Sequence, residues 1–496
     1  MIKRSGIIGG SLAVLLFVTN GTSADDTHYR SVPIGAHAIG LAGAFAGVVD
    51  DASAAFYNPS GLAHGGARGI AGGLTINAWD RLQVNNAFQN PNAVDSATAK
   101  TGRTIPVFIG AALTFGPTDA LERKKFALAL SVVEPNSSRD GFTVQLRSDA
   151  IELTDSYSVG ASDRATWYGL SFASRIDLKQ SIGGSLYVSQ RNLNQAEVGL
   201  ALGGGTPVSS DPATFVGTST AANTANLNFN AYHFVLRFGW LYQIKPQVQV
   251  GVMLQPPGIP LKQRANVTSQ GFFTDNAGPN APVTTRAYFY DEEVNANLPI
   301  PMELRGGLQY WAAEKIMLAL DAMFYSPVRS GQRAKVAGPV PTGPTGLFFD
   351  NDTARRAIAN VALGGDFFIS KKVMIEAGFF TDLSSAVNIP ANPDRYYNPQ
   401  INRYGATVSI GLNVAGVALA VGSTFLYGKG PATGAVVDAA NLGVGYTRTD
   451  ASSRSIFLHV TGATRAVSEL GDRTAKSVQS RREKKNYEEE PGEQDQ

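Results

Sequence analysis

Alternation is the property that most restricts what this chain can fold into. Along one run, Tyr232, Phe234, Leu236, Phe238, Trp240 and Tyr242 fall on one face, and His233, Val235, Arg237, Gly239 and Leu241 fall on the other. A period of two is the signature of a strand, because successive side chains point to opposite faces. A strand in water seldom lines one face with aromatics and sets an arginine at the centre of the other. A strand between lipid and a wet lumen does so. The pattern recurs: Val248, Val250, Val252 and Leu254 alternate with Gln249, Gly251 and Met253, and Leu304, Leu308 and Tyr310 with Glu303, Arg305 and Gln309. Ile316, Leu318 and Leu320 alternate with Met317, Ala319 and Asp321, and Val373, Ile375 and Phe379 with Met374, Glu376 and Gly378.

The spacing predicts about fourteen strands, near 68–77, 104–115, 125–133, 165–178, 180–189, 230–243, 247–255, 301–311, 315–325, 358–370, 372–381, 403–413, 416–427 and 454–462. Most approach the roughly 9–11 residues that a tilted strand needs to cross a bilayer. Pairs are joined by tight turns such as Leu178-Lys179-Gln180, Ile244-Lys245-Pro246 and Ser370-Lys371. Long polar stretches separate them, at 79–103, 134–164, 190–229, 256–300, 326–357, 382–402 and 428–453, and are expected to be loops. Short turns on one side and long loops on the other are the plan of an outer-membrane barrel. The fold class expected is therefore all-β, a transmembrane antiparallel β-barrel of about fourteen strands, in the outer membrane of a Gram-negative bacterium.

Length alone, 496 residues, would imply about three soluble domains, but no linker divides the chain and a closed barrel can use it whole. Apolar residues make up 44%, yet no run after the N-terminus reaches the roughly 18 apolar residues of a membrane helix. There is no cysteine, which excludes disulfides, thiol catalysis and cysteine-based metal sites.

The first residues read as a signal peptide over 1–24. Lys3 and Arg4 are its basic start, Ile7 to Val18 its apolar stretch, and Thr22-Ser23-Ala24 its cleavage site. Without Lys3 and Arg4 the 42 basic residues fall to 40, equal to the 40 acidic ones, so nothing points to nucleic acid. The barrel is expected over 67–462. The tail, 463–496, mixes Arg481-Arg482-Glu483-Lys484-Lys485 with Glu488-Glu489-Glu490 and is expected to be a disordered periplasmic extension.

Between signal and first strand, at 25–66, lies the most specific motif, running from Gly40 to Leu62. Its small residues suit close packing in a narrow space. Asp50 and Asp51 precede Ala52-Ser53-Ala54-Ala55 and are expected to cap a short helix. Asn58-Pro59 ends that helix, Ser60 follows, and Gly61 turns the chain toward the first strand. This segment resembles the GxAGAxxxxxDDASxxxxNPAGL-like segment of the long-chain fatty-acid transporter family, which includes aromatic-hydrocarbon uptake proteins. Ser60 stands where that family usually has alanine. The resemblance implies a monomeric barrel with an N-terminal hatch in its lumen, built around Asp50, Asp51, Asn58, Pro59, Ser60 and Gly61. It further implies capture of hydrophobic small molecules by outer loops and their sideways exit into membrane lipid beside a kinked strand.

The expected inner face combines apolar side chains with a few charges. Phe108, Trp167, Leu241, Met253, Met317, Met323, Met374 and Phe380 offer an apolar surface for a greasy ligand. Inward Arg175, Arg237 and Arg305 offer paired N–H donors for a carboxylate. The alternative for these arginines is ion pairing with Asp177, Glu303, Asp321, Asp366 or Glu376. Val198, Leu200, Leu202, Phe215, Leu261, Phe272 and Phe273 are candidates for a first catching site. No cofactor and no metal are expected, since His28, His37, His64, His233 and His459 show no metal-ligand spacing. No hydrolase motif appears, although His233 with Ser185 or Ser189 leaves a barrel lipase as an alternative. A structural or adhesive barrel with a polar, side-chain-filled lumen is the other. The barrel assembly machinery is the expected protein partner.

Overall fold

The computed structural model describes residues 27–464, apart from 30–31, 65–68, 91–92, 120–122, 149–152, 204–218, 276–282, 296, 330–331, 339–345, 353, 395–396, 398, 415–416 and 439–442. The expected signal peptide and charged tail lie outside these residues.

The strands are β1 (Gly69–Asn90), β2 (Ala93–Thr118), β3 (Lys124–Ser148), β4 (Leu153–Arg175), β5 (Gln180–Gly203), β6 (Ser219–Lys245), β7 (Val248–Gln255), β8 (Ile259–Asp275) and β9 (Val283–Asn295). They continue with β10 (Glu303–Ala313), β11 (Ile316–Tyr325), β12 (Gln332–Gly338), β13 (Gly346–Asp352), β14 (Ile358–Phe368), β15 (Val373–Asp382), β16 (Asn402–Val414), β17 (Val417–Asp438) and β18 (Gly443–Thr464). Fourteen of them close a barrel in the order β1 to β7, β10, β11, β14 to β18, with β18 pairing back onto β1. Neighbours in this ring run antiparallel. Closure leaves no edge in lipid, where an unpaired backbone group has no water to turn to.

The alternation sets which face looks outward. Phe238, Trp240, Leu304, Tyr310, Leu318, Leu320, Ile375 and Phe379 are exposed on the outside, as are Ile70, Leu113, Leu170, Leu363 and Val421 from the remaining wall. In water such a continuous apolar band would be a liability, and around a barrel it is the surface that lipid covers. Aromatics mark both rims of the band. Phe126 stacks on Phe172 and Trp240 on Tyr242 near the short turns, and Phe379 stacks on Tyr404 near the long connections. No helix among the described residues is long and apolar enough to cross a membrane.

Several stretches expected as loops are strand. β1 has 22 residues, β2 26 and β6 27, so they run well past the bilayer as a tall wall. There the outward face is polar: Asn194, Asn226, Asn228 and Asn230 are exposed while Leu193, Leu227 and Phe229 between them are buried, so the period of two persists without the apolar outer face that marks the membrane-crossing parts. The stretch 256–300 holds β8 and β9, of which β8 pairs with the upper part of β6. β12 and β13 form a separate hairpin. Of the stretches expected as loops, 383–401 has no strand among its described residues, and its Ser384, Ala386 and Ile389 are buried. Asp177, expected to point inward, is an exposed turn residue beyond the end of β4. Its Oδ1 accepts the N–H groups of Lys179 at 2.7 Å and Gln180 at 2.8 Å.

An arginine at Leu320, at the middle of β11 and on the lipid face, should destabilise the inserted barrel by about 2–4 kcal/mol if it lies at the midplane. Urea unfolding of Leu320→Arg from bilayers measures this. An unchanged unfolding midpoint would mean that this face does not meet lipid.

Candidate functional site in the lumen

The barrel encloses the segment before β1. Every residue from Pro33 to His64 is buried. The segment holds three single-turn helices, α1 (His37–Gly40), α2 (Ala54–Tyr57) and α3 (Gly61–His64). Its Phe45, Phe56, Tyr57 and Leu62 form one apolar core with Phe108, Trp167, Met317, Met323 and Phe380 of the wall. The inward apolar residues singled out from sequence are thus packed. Phe108, Met253, Met317 and Phe380 are each at most 1% exposed.

Glycines on the wall let the segment approach. A Cβ at Gly251 would stand 2.0 Å from the Ala46 carbonyl oxygen, and one at Gly239 would stand 2.1 Å from Asn58 Oδ1. Gly73, Gly183, Gly307, Gly364 and Gly378 likewise face segment atoms that a side chain would strike. Glycine in a strand interior commonly marks this kind of close backbone approach.

Asn58 is the most fully bonded residue of the motif. Its Nδ2 donates to the Ala46 carbonyl at 3.0 Å and to the Trp240 carbonyl of β6 at 3.1 Å. Its Oδ1 accepts the Ser60 hydroxyl at 2.6 Å and the Ser60 N–H at 3.3 Å. Ser60, the departure from the family pattern, thereby supplies a bond that alanine would lack. Pro59 packs on Gly183 and Gly239, and Gly61 leaves room for Val49. Val49 is itself β-branched and held at φ 43°, a strained conformation that persists only where packing imposes it.

The two aspartates divide their work. Asp51 Oδ1 accepts the N–H of Ser53, the residue before α2, at 2.7 Å, and its Oδ2 accepts the His37 N–H at 3.1 Å; among the described residues no side chain caps an N–H of α2 itself. Asp50 does not cap the helix. It accepts a bond from His37 Nδ1 at 2.9 Å. On the other side of the ring, His37 Nε2 stands 2.9 Å from Asp366 of β14. Burial draws the imidazole pKa down, but Asp50 and Asp366 outweigh it and hold the ring well above its ordinary value. Burial, then the charge of Asp50, raises the Asp51 carboxyl.

Arg175, Arg237 and Arg305 all grip this segment or its acidic neighbours. Arg237 donates to the Phe56 carbonyl, to Glu303 at 2.9 Å and to Gln255 at 3.0 Å, and its guanidinium lies 3.9 Å from the centre of the Phe56 ring. Arg305 donates to Glu303 at 3.0 Å and lies 4.8 Å from the centre of the Tyr57 ring. Arg175 donates to Asp119 and to the Ala63 carbonyl at the end of α3. The ion pairing read as the alternative for these arginines is present for Glu303 with both Arg237 and Arg305. Asp321 pairs with Arg305 at 3.9 Å and also accepts the N–H groups of Phe45 at 3.1 Å and Ala46 at 3.0 Å.

The wall itself parts beside the segment. β2 and β3 pair from Thr118 and Lys124 up to Phe108 and Val133, and no further. Beyond that level β2 continues with β1, and β3 with β4. There β3 carries a bulge, with Glu134 and Pro135 opposite Thr166 alone. A cavity of about 350 Å³ opens at this point, with Ile109, Val132 and Tyr168 on its outer side and Phe108 and Glu134 behind. Glu134 is paired with Arg164 at 2.8 Å. Sequence reading found Phe108 but not this opening, since the parting is a matter of register. Of the residues expected to catch ligand, Val198 and Leu261 are exposed. Phe215 and the side chains of Leu200, Leu202, Phe272 and Phe273 lie outside the described residues.

No protein-family model and no curated protein matches this sequence. Solved structures do. A FadL homologue from Pseudomonas aeruginosa superposes with a TM-score of 0.56 at 13% identity, over 88% of this chain and 99% of that one. The toluene transporter TodX of P. putida superposes with a TM-score of 0.51 at 12% identity, again over 88% of this chain and 99% of that one. The likeness shows a common fold, and it agrees with the resemblance read from Gly40 to Leu62.

Two measurements probe how the segment is held. Asn58→Ala removes the side-chain donor to the buried Ala46 carbonyl, at roughly 1–3 kcal/mol for a buried group left unsatisfied. Amide exchange over 43–62 should accelerate about tenfold or more, with the barrel strands unchanged and Ser60→Ala milder. His64 gives a pH dependence. Burial, then the charges of Arg123 and Arg175, hold its pKa down to about 3 against an ordinary 6.5. Between those values the unfolded chain binds the proton and the native one does not, so α3 should loosen as pH falls below about 6.5. His64→Phe should flatten that dependence of exchange at 61–64.

Proposed function

We propose that this protein is a monomeric outer-membrane transporter for passive uptake of hydrophobic compounds, with 33–64 as its hatch. The observation that carries the reading is the opening between β2 and β3. It lies at the level of the membrane-facing Ile109, Val132 and Tyr168, and it is backed by Phe108 and, beyond it, by Ala52 of the segment. A solute that reached this point from the long-loop end would leave sideways into lipid. A barrel that served only as an anchor or adhesin would need neither a parted wall nor a bulge there. A barrel with the fold of a toluene transporter and a FadL homologue supports the same reading.

Long-chain fatty acids and hydrocarbons both fit the path. Ile109, Val132, Tyr168 and Phe108 give it apolar walls, and the Glu134–Arg164 pair gives one polar edge. Arg237 and Arg305 act as clamps on the hatch in this reading. A fatty-acid carboxylate that displaced Phe56 or Glu303 from them would release α2, so ligand arrival and hatch movement would be one event. The lipase alternative has less support. β5 and β6 bring Ser189 opposite His233, but among the described residues the Ser189 hydroxyl and both His233 nitrogens make no hydrogen bond, and the Ser185 hydroxyl is committed to the Ala55 carbonyl at 2.7 Å.

In proteoliposomes, a fluorescent fatty acid should enter and glucose should not. Affinity should rise by about 0.8 kcal/mol, close to fourfold, per added methylene until the path is filled. Thr166→Trp, which fills the wall cavity without touching the hatch, should slow entry of every hydrophobic probe. Equal entry of glucose and fatty acid, or normal kinetics in Thr166→Trp, would sink this reading.

A further inference from the structure

The contact between α1 and the wall contains an arrangement that transport of a greasy solute does not require. Asp366 of β14 and Glu376 of β15 are directly opposite each other in register, both pointing into the lumen. Like charges placed so are destabilising. His37 of α1 meets them, with Nε2 2.9 Å from Asp366 Oδ2. One ligand atom from each of His37, Asp366 and Glu376 falls within a group no more than 4.8 Å across.

Glu376 is 1% exposed, and neither of its carboxylate oxygens makes a hydrogen bond; Asp366 Oδ1 is likewise unpartnered. Asp50, Asp51, Asp366 and Glu376 gather around one imidazole, and among the described residues no arginine or lysine pairs with any of the four. The other ring nitrogen, Nδ1, is already bonded to Asp50 at 2.9 Å. A carboxylate behind a histidine whose far nitrogen faces two more carboxylates is the usual outer support of a metal-bound imidazole. Gly40 completes the cradle, since a Cβ there would lie 1.9 Å from Glu376 Oε2.

We propose that His37 Nε2, Asp366 and Glu376 bind one first-row divalent cation, best matched by zinc, which fastens the hatch to β14 and β15. Three protein ligands with an open fourth position, one imidazole nitrogen and two carboxylate oxygens suit zinc. The nitrogen disfavours magnesium and calcium, which take all-oxygen shells. The ion neutralises two of the negative charges that the strand register forces together. It also replaces the proton on Nε2, leaving Nδ1–H to Asp50. Local sequence spacing gave no hint of the site, because His37 and Asp366 are 329 residues apart in the chain.

The test uses the full-length protein in detergent, stripped with a chelator and titrated with Co²⁺ alone, then with Zn²⁺ in competition. One Co²⁺ per chain, with visible absorption bands of low coordination number and displacement by Zn²⁺, is the expected result. Glu376→Gln and Asp366→Asn should abolish stoichiometric binding, and Asp50→Ala should weaken it roughly 10–100-fold. Asp177→Asn, an exposed turn carboxylate, should bind as wild type does. X-ray absorption of the zinc-loaded wild type should show one nitrogen and otherwise oxygen ligands, which holds even if a variant fails to insert. Absence of stoichiometric metal, unaltered binding in Glu376→Gln, or an all-oxygen shell would overturn the proposal. None of these measurements involves transport, so their failure is distinct from failure of the transporter reading.

Discussion

How closely one backbone can approach another decides most of this structure. A segment of single-turn helices has few regular hydrogen bonds of its own, so once it is shut inside a barrel its carbonyls and N–H groups must find partners on the wall. Short side chains on the segment and glycines on the wall bring the two close enough. Asn58 can then span from Ala46 to Trp240, and Asp321 can meet two successive N–H groups at Phe45 and Ala46. A single added Cβ at Gly251 would occupy the position needed by the Ala46 carbonyl. The wall and the segment are therefore one packing problem, solved together.

The charged groups follow from that fit. Guanidinium groups bridge where backbone alone does not reach: Arg237 to Phe56 within α2, and Arg175 to Ala63 at the end of α3. Each is balanced by an acid on the wall or in a turn, Glu303 and Asp119. Removing one partner of such a buried pair leaves the other uncompensated, so these contacts specify a position more than they add stability. The exception is the His37 corner, where carboxylates outnumber cations. It is also where α1 meets the wall farthest from the β2–β3 parting along the ring of strands.

The barrel was legible because lipid contrast writes alternation into sequence. Phe238 and Arg237, adjacent in the chain, cannot face the same medium, and that fixed both strand and face. The same contrast explains the misreading of the upper wall. Asn194, Asn226 and Asn228 point outward where polar residues replace the apolar outer face, so the alternation with buried Leu193, Leu227 and Phe229 was passed over among polar neighbours. Asn58-Pro59 was legible as a chain stop, but its bond to Trp240 depends on a residue 182 positions away. Asp50 was misassigned for a related reason. Its neighbours describe a helix cap, whereas its true partner, His37, is brought to it by the fold of the segment. The opening between β2 and β3 left only Pro135 as a trace.

If the protein works as proposed, the segment must move for a hydrophobic solute to pass. The chain has no cysteine, so an engineered pair reports cleanly on this. Ala52 of the segment faces Gly110 of β2, and a Cβ built at Gly110 lies 3.5 Å from that of Ala52, within reach of a disulfide once the Phe108 ring, 2.5 Å from that Cβ, turns aside. In proteoliposomes carrying Ala52→Cys with Gly110→Cys, uptake of a fluorescent fatty acid should stop under oxidising conditions and return on reduction in the same sample. Equal uptake in the two states, with the disulfide verified, would show that solute passes a stationary segment and would contradict the account.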